Sequence, residues 1–177
     1  MAGDEPIRLV PPDPGWPARF EQERALLAGA IGEWAPGGIH HVGSTAVSGL
    51  EAKPIIDILV GVRDLETARA CFGPLAELGY VHAPYLPEEM HWFCKPDQAH
   101  RTHHLHLVPH DFQRFRDELA LRDRLREDPG LAERYATLKR ELASRYREDR
   151  EAYTDGKTPF VDAALMAWAR ARNRKVD

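Results

Sequence analysis

The chain has 177 residues and a mass of 20.0 kDa, with 43% apolar and 29% charged residues, which is enough for one domain with an ordinary core. Its 24 basic and 28 acidic residues leave a formal charge of -4, so no generic nucleic-acid binding is expected, because such binders carry a basic excess. No apolar run of about 18 residues marks a membrane span, and the start MAGDEPIRLVPPDPGW lacks the basic-then-apolar pattern of a signal peptide. The two cysteines, Cys71 and Cys94, read as reduced packing residues of a cytoplasmic protein.

In chain order, residues 1–15 are proline-rich and predict an extended lead-in. Trp16, Phe20, Leu27, Ile31 and Trp34 recur at helical spacing and predict a helix from Trp16 to Trp34, stopped by Pro36-Gly37-Gly38. Ile39 to Val42 predicts a short strand. Gly43 to Pro54 predicts a loop with room for one helical turn. After Pro54 the run IIDILVGV is apolar and β-branched, the pattern of a central strand covered on both faces. Asp64 offers an N-cap for a helix to about Leu78, ended by Gly79. Strands follow near Tyr80 to Ala83, Met90 to Lys95 and Thr102 to Pro109. The rest predicts helices over 112–127, 131–149 and 160–173, broken at Asp128-Pro129-Gly130 and Thr154 to Pro159. This is an α+β fold: one domain, with a small mixed sheet and helices packed on it over 16–110 and a helical layer over 111–177.

Asp57 lies in the middle of the most apolar stretch. In period-2 geometry it shares a face with Ile55 and Leu59, while Ile56, Ile58 and Val60 face the other way. A carboxylate there costs several kcal/mol unless a cation or several donors meet it. Two readings stand: an acid that caps amides of the preceding loop, or a metal ligand at the bottom of a cleft. The loop before it, His41-Val42-Gly43-Ser44-Thr45, ends a strand at a glycine and then offers two hydroxyls and a row of amides, a turn suited to phosphate. Lys53 follows as a neutralising charge.

The run HVGSTAVSGLEAKPIIDILV (His41 to Val60) resembles the signature of the GrpB family, a group with a nucleotidyltransferase-like fold. The resemblance extends through DPGWPARFEQE, RTHHLHLV, LRDRLREDP, YATLK and YTDGKTPF, nearly the whole chain; Ser48 departs from the proline usual in the loop. It implies a polymerase-β-like sheet in which Gly43-Ser44 is followed by carboxylates that hold two divalent ions around an α-phosphate. The second carboxylate position is Leu59, and the third-carboxylate strand offers His106 instead. The expected catalytic pair is therefore Asp57 and His106, on a degraded carboxylate set.

Alternation in RTHHLHLVP puts His104 and His106 on one strand face, and two imidazoles at i and i+2 can reach one ion. His41 and Asp57 would complete a His/carboxylate set; the alternative is imidazoles that face solvent or backbone. The expected cofactor is a divalent metal, magnesium or manganese, or zinc or another transition metal if the histidines bind it. Further along, Leu131, Tyr135, Leu138, Leu142 and Tyr146 form a helical stripe with Lys139 at its edge. That lysine either covers apolar surface or meets a phosphate in the cleft. Arg122 and Arg126 read as a solvated, salt-bridged face. Gly156-Lys157-Thr158 lacks the preceding glycine and strand of a P-loop, although Lys157 in its turn can still fold over a ligand. The basic end Arg170, Arg172, Arg174 and Lys175 complements a helix dipole.

The expected partner is a nucleotide or another phosphorylated small molecule, with no nucleic acid and no membrane. Gly43, Ser44, Thr45, Lys53, Arg101, Lys139 and Lys157 would bind phosphate or substrate, and Asp57, His104, His106 and His41 would bind metal. Transfer of a nucleotidyl group to a small acceptor is the expected reaction. The alternatives are a non-catalytic binding module, as fusions to dephospho-CoA kinase in the family suggest, and a metal-dependent hydrolase built on the histidines.

Overall fold

The run after Pro54 forms the middle of a five-stranded sheet in the computed structural model, which describes residues 5–173. The strands are β1 (Gly38–Val42), β2 (Ile56–Val62), β3 (Val81–His82), β4 (His91–Pro96) and β5 (Arg101–Pro109), in the order β1-β2-β5-β4-β3. Only β2 and β5 run parallel; the other neighbours are antiparallel. The sheet is thus mixed, as expected.

Each face of the sheet has its own cover. Ile56, Ile58 and Val60 of β2 join Leu105 and Leu107 of β5 against Trp16, Phe20, Leu27 and Ile31 of helix α1 (Trp16–Ile31). Leu75 of α2 (Phe72–Glu77) packs into the same cluster. On the other face Leu59 and Val108 meet Phe115 of α3 (Gln113–Glu127). Helix α4 (Pro129–Arg145), the short α5 (Arg150–Asp155) and α6 (Thr158–Asn173) complete the helical layer. Val47 and Leu50 of the loop after β1 are buried against α4 and α6 through Tyr135 and Ala164, so that loop is clamped between sheet and helices.

Three expectations need correction. The helix expected from Asp64 to Leu78 is two pieces, a 3-10 turn over Thr67–Cys71 and then α2. Asp64 does cap, accepting from the Thr67 amide at 2.7 Å. Pro74, however, has no N–H for the Ala70 carbonyl, and its ring would clash there in one continuous helix. The helix expected over 131–149 ends at Arg145, and α5 starts behind a second cap, Asp149, which accepts from the Ala152 amide at 2.9 Å. The lead-in is more than an extended strap, because Val10 pairs with Ala52 and the buried Ile7 donates its amide to the Arg147 carbonyl at 2.7 Å. Arg174 and Lys175 lie outside the described residues. No helix among the described residues is long and apolar enough to cross a membrane.

Candidate functional site

A cleft of about 580 Å³ opens between the Asp57 face of the sheet and helices α3, α4 and α5. The register explains why these side chains meet. Asp57 of β2 lies beside His104 of β5, and Leu59 lies beside His106, which is opposite Trp92 of β4. Parallel pairing with alternate side chains therefore gives the cleft floor an acid, two imidazoles and an indole.

Asp57 Oδ1 accepts from His104 Nδ1 at 2.9 Å, and the Asp57 side chain keeps 28% of its exposure, toward the cleft. This carboxylate does not merely hold its neighbouring loop. Burial pushes its pKa up, but the hydrogen bond from His104, with the nearby positive charge of Lys53, holds it below the ordinary carboxylate range. Burial pushes the His104 imidazole down, against the pull of Asp57. Its Nδ1 carries the proton donated to Asp57, and its buried Nε2 has no hydrogen-bond partner among the described residues. His106 Nδ1 is bound instead by Glu118 Oε2 of α3 at 3.3 Å. Burial lowers that imidazole, but the charge and hydrogen bond of Glu118 and the Asp57 charge together outweigh it, so the net shift is upward. Glu118 is in turn paired with Arg114 at 3.1 Å, and Arg114 with Glu89 at 2.8 Å.

Gly43 has φ +71, and a Cβ placed on it would stand 2.4 Å from Asp57 Oδ2. Only glycine lets the turn pass this close to the acid. The next residues, Ser44–Ala46, form a 3-10 turn whose leading amides start the loop.

Three lysines face this floor. Lys139 of α4 is 2% exposed; its ammonium donates to Ser44 Oγ at 2.9 Å and to the Glu51 carbonyl. Burial, and then the Lys157 charge, bring it down to about 7. Lys53 is brought down to about 8 by the same two causes. Lys157 is also lowered, by burial. Lys53 and Lys157 lie over the Tyr153 ring at 5.4 and 4.8 Å. Among the described residues none of the three forms a salt bridge with a carboxylate.

A family model for the GrpB protein matches residues 6–167. The chain belongs to the GrpB family. It is 36% identical to the glutamate-rich protein GrpB of Alkalihalophilus pseudofirmus over 90% of this chain and 94% of that protein. It is 42% identical to a UPF0157 protein of Pseudomonas aeruginosa over 98% of this chain and 72% of that one. A crystal structure of GrpB from Enterococcus faecalis superposes with a TM-score of 0.80 at 30% identity, covering 91% of this chain and 99% of that one. The chain also matches 46% of the dephospho-CoA kinase of Mycobacterium tuberculosis at 31% identity. The fold is nucleotidyltransferase-like, as the sequence resemblance implied.

Within this GrpB fold, Gly43, Ser44, Lys53, Asp57, His104, His106, Lys139 and Lys157 all line one cleft. Two expected members do not act as foreseen. His41 is the β1 partner of Ile58, so it points to the face opposite Asp57; it stacks on Phe20 at 4.7 Å and its Nε2 meets Thr45 Oγ1 at 2.9 Å. Thr45 also lines the cleft, but its hydroxyl accepts from His41 and donates to the Ile55 carbonyl at 3.3 Å, so the hydroxyl braces the loop and only the backbone amide is left to meet a phosphate. Among the described residues no three metal-ligating side chains converge, and the set of His41, Asp57, His104 and His106 is not assembled. Arg101 reaches the cleft on the β4 side, 5.1 Å over the Trp92 ring. Arg122 and Arg126 are not simply a solvated face: they donate to the carbonyls of His41 at 3.2 Å and Ala46 at 2.8 Å, pinning the loop to α3.

Glu118, Arg114, Trp92 and Tyr153 escaped the sequence reading as site residues. The i,i+4 spacing of Arg114 and Glu118 was a visible signal that the two act on one helix face. Nothing in the sequence shows that this face looks at His106.

Proposed function

We propose that this cleft binds a nucleotide or another phosphorylated small molecule, with its phosphates among Lys53, Lys139, Lys157 and the turn at Gly43-Ser44. One observation carries the reading: three ammonium groups, none of them in a carboxylate salt bridge among the described residues, line one hollow, where burial lowers the pKa of each and the Lys157 charge lowers Lys53 and Lys139 further. A polyanion entering there relieves both costs. Asp57 is the group to hold a divalent ion. One carboxylate suits magnesium or manganese that brings phosphate oxygens and waters as its other ligands, and such an ion supplies charge neutralisation at the phosphates. In nucleotidyl transfer an acceptor oxygen bonds to the α-phosphorus, the bond to pyrophosphate breaks, and the acceptor proton passes to His106 Nε2, with Glu118 holding the ring. The two buried cysteines, neither in a disulfide, fit a reducing, cytoplasmic setting.

Leu59, buried where a second carboxylate would stand, favours a second reading: a binding module that keeps the hollow without the chemistry. The match to part of a dephospho-CoA kinase suits such an accessory role beside a nucleotide-containing metabolite.

A thermal-shift screen of nucleoside triphosphates and inorganic tripolyphosphate, with and without magnesium or manganese, tests the binding. A ligand at 100 times its Kd stabilises by about 2.7 kcal/mol, which is about 5–10 °C for a chain of this size. The shift is expected to shrink in Lys139→Met and Lys53→Met. No shift with any of these anions at millimolar concentration would overturn the proposal. Pyrophosphate release that disappears in Asp57→Asn separates the transferase from the binding module.

A further inference from the structure

The far side of the cleft differs chemically from the lysine side. Trp92 is half-buried on the floor, with the Arg101 guanidinium 5.1 Å over its ring and the His104 ring 5.1 Å away. Above it, the loop from Ala83 to Met90 places Pro84 and Tyr85 at the mouth. That loop is fixed at both ends: the Ala83 amide donates to the Trp92 carbonyl at 3.0 Å, and Glu89 is paired with Arg114 of α3 at 2.8 Å. Its tip is the costly part. Tyr85 is 44% exposed and Leu86 38%, and Leu86 has φ +46, a conformation that a branched residue rarely adopts. A fixed loop therefore holds an aromatic ring in water at the rim of a cleft that Trp92 also lines.

From the end of β1, where Ser44 binds Lys139, to β4, where Trp92 stands, is three strand spacings, roughly 14 Å. The cleft is thus cationic at one end and aromatic at the other, separated by about the reach of an extended nucleotide. We propose that Tyr85 and Trp92 form a stacking subsite for a planar heterocycle, the base of the nucleotide whose phosphates occupy the lysine end. Aromatic faces and an arginine plane accept any base by stacking, and Gln98 at the same end offers an amide to a base edge. This inference rests on the phosphate-binding reading above and adds the identity of the ligand's other end.

Calorimetric titration of ATP, GTP, CTP and UTP against inorganic tripolyphosphate, all with magnesium, tests it. At least one nucleotide is expected to bind about tenfold tighter than tripolyphosphate. Tyr85→Ala should remove most of that advantage and leave tripolyphosphate affinity unchanged, and Tyr85→Phe should restore it. Nucleotide, but not tripolyphosphate, should quench tryptophan fluorescence, and Trp92→Phe should abolish the quenching. If tripolyphosphate binds as tightly as every nucleotide, or Tyr85→Ala weakens both alike, the stacking subsite is wrong while the phosphate site stands. If neither class binds, both fall. Tyr85 is exposed at a loop tip, so its variants do not put the fold at risk.

Discussion

At the scale of single residues the cleft depends on a close approach that tolerates no side chain. Gly43 passes so near Asp57 that a methyl group would strike Oδ2 and Cβ, at 2.4 and 3.0 Å. Its positive φ adds a conformational cost of about 1–3 kcal/mol for any other residue. Gly43→Ala is expected to lower stability by about 2 kcal/mol or more in urea unfolding, with ligand binding lost as well, because the loop must back away from the acid. Unchanged stability would mean that the turn is free to move and does not define the hollow. Lys139 makes the complementary case. Its ammonium binds Ser44 Oγ and the Glu51 carbonyl at a depth where charge is costly. Lys139→Met should therefore reduce tripolyphosphate affinity by about tenfold while shifting the melting temperature by only a few degrees. A collapse of the fold with no separate loss of affinity would make it a structural lysine.

At the scale of elements, legibility followed how local the determining interaction is. The strand of β2 and the acid on its cleft face were plain, because an apolar β-branched run and a period of two are written in adjacent residues. Helix α4 was plain for the same reason, and its stripe put Lys139 at the edge that turns inward. The failures came where a distant contact or one breaker decides. Pro74 split a segment whose end signals, Asp64 and Gly79, suggested one helix. The packing of α3 on the sheet brings Glu118 to His106, which no spacing within α3 reveals. His41 sat beside the phosphate turn in sequence, yet a one-residue step along β1 sends it to the opposite face of the sheet. The cap expected at Asp64 held better than the length of the helix behind it. Asp128 accepts from the Leu131 amide at 2.9 Å at the start of α4, so Asp128→Ala should cost about 1 kcal/mol. Equilibrium urea unfolding reads this directly, and a cost near zero would mean that the cap is replaced by water. α5 starts with the same device at Asp149, a cue that its short span concealed.

At the scale of the whole molecule, the two faces of the sheet divide labour, and pH reports on the division. The α1 face is packed to stay, and His41 is sealed there under Phe20. Burial brings its imidazole down to about 4, partly opposed by the Asp57 charge. Between pH 6.5 and 4 an unfolded chain carries a proton on this residue and the folded chain does not. The unfolded state then binds more protons, so stability falls as the pH drops through that window and this contribution levels off near pH 4. One such group contributes a slope of about 1.4 kcal/mol per pH unit. His41→Gln keeps a donor for Thr45, whose own hydroxyl is donated to the Ile55 carbonyl, but takes up no proton. The expected outcome is a wild-type stability that declines from pH 6.5 to 4.5, with the decline shallower by about one proton in His41→Gln. Equal slopes in the two proteins would place a water path to His41 and open the α1 face, leaving the cleft face without the rigid backing that holds Gly43 against Asp57.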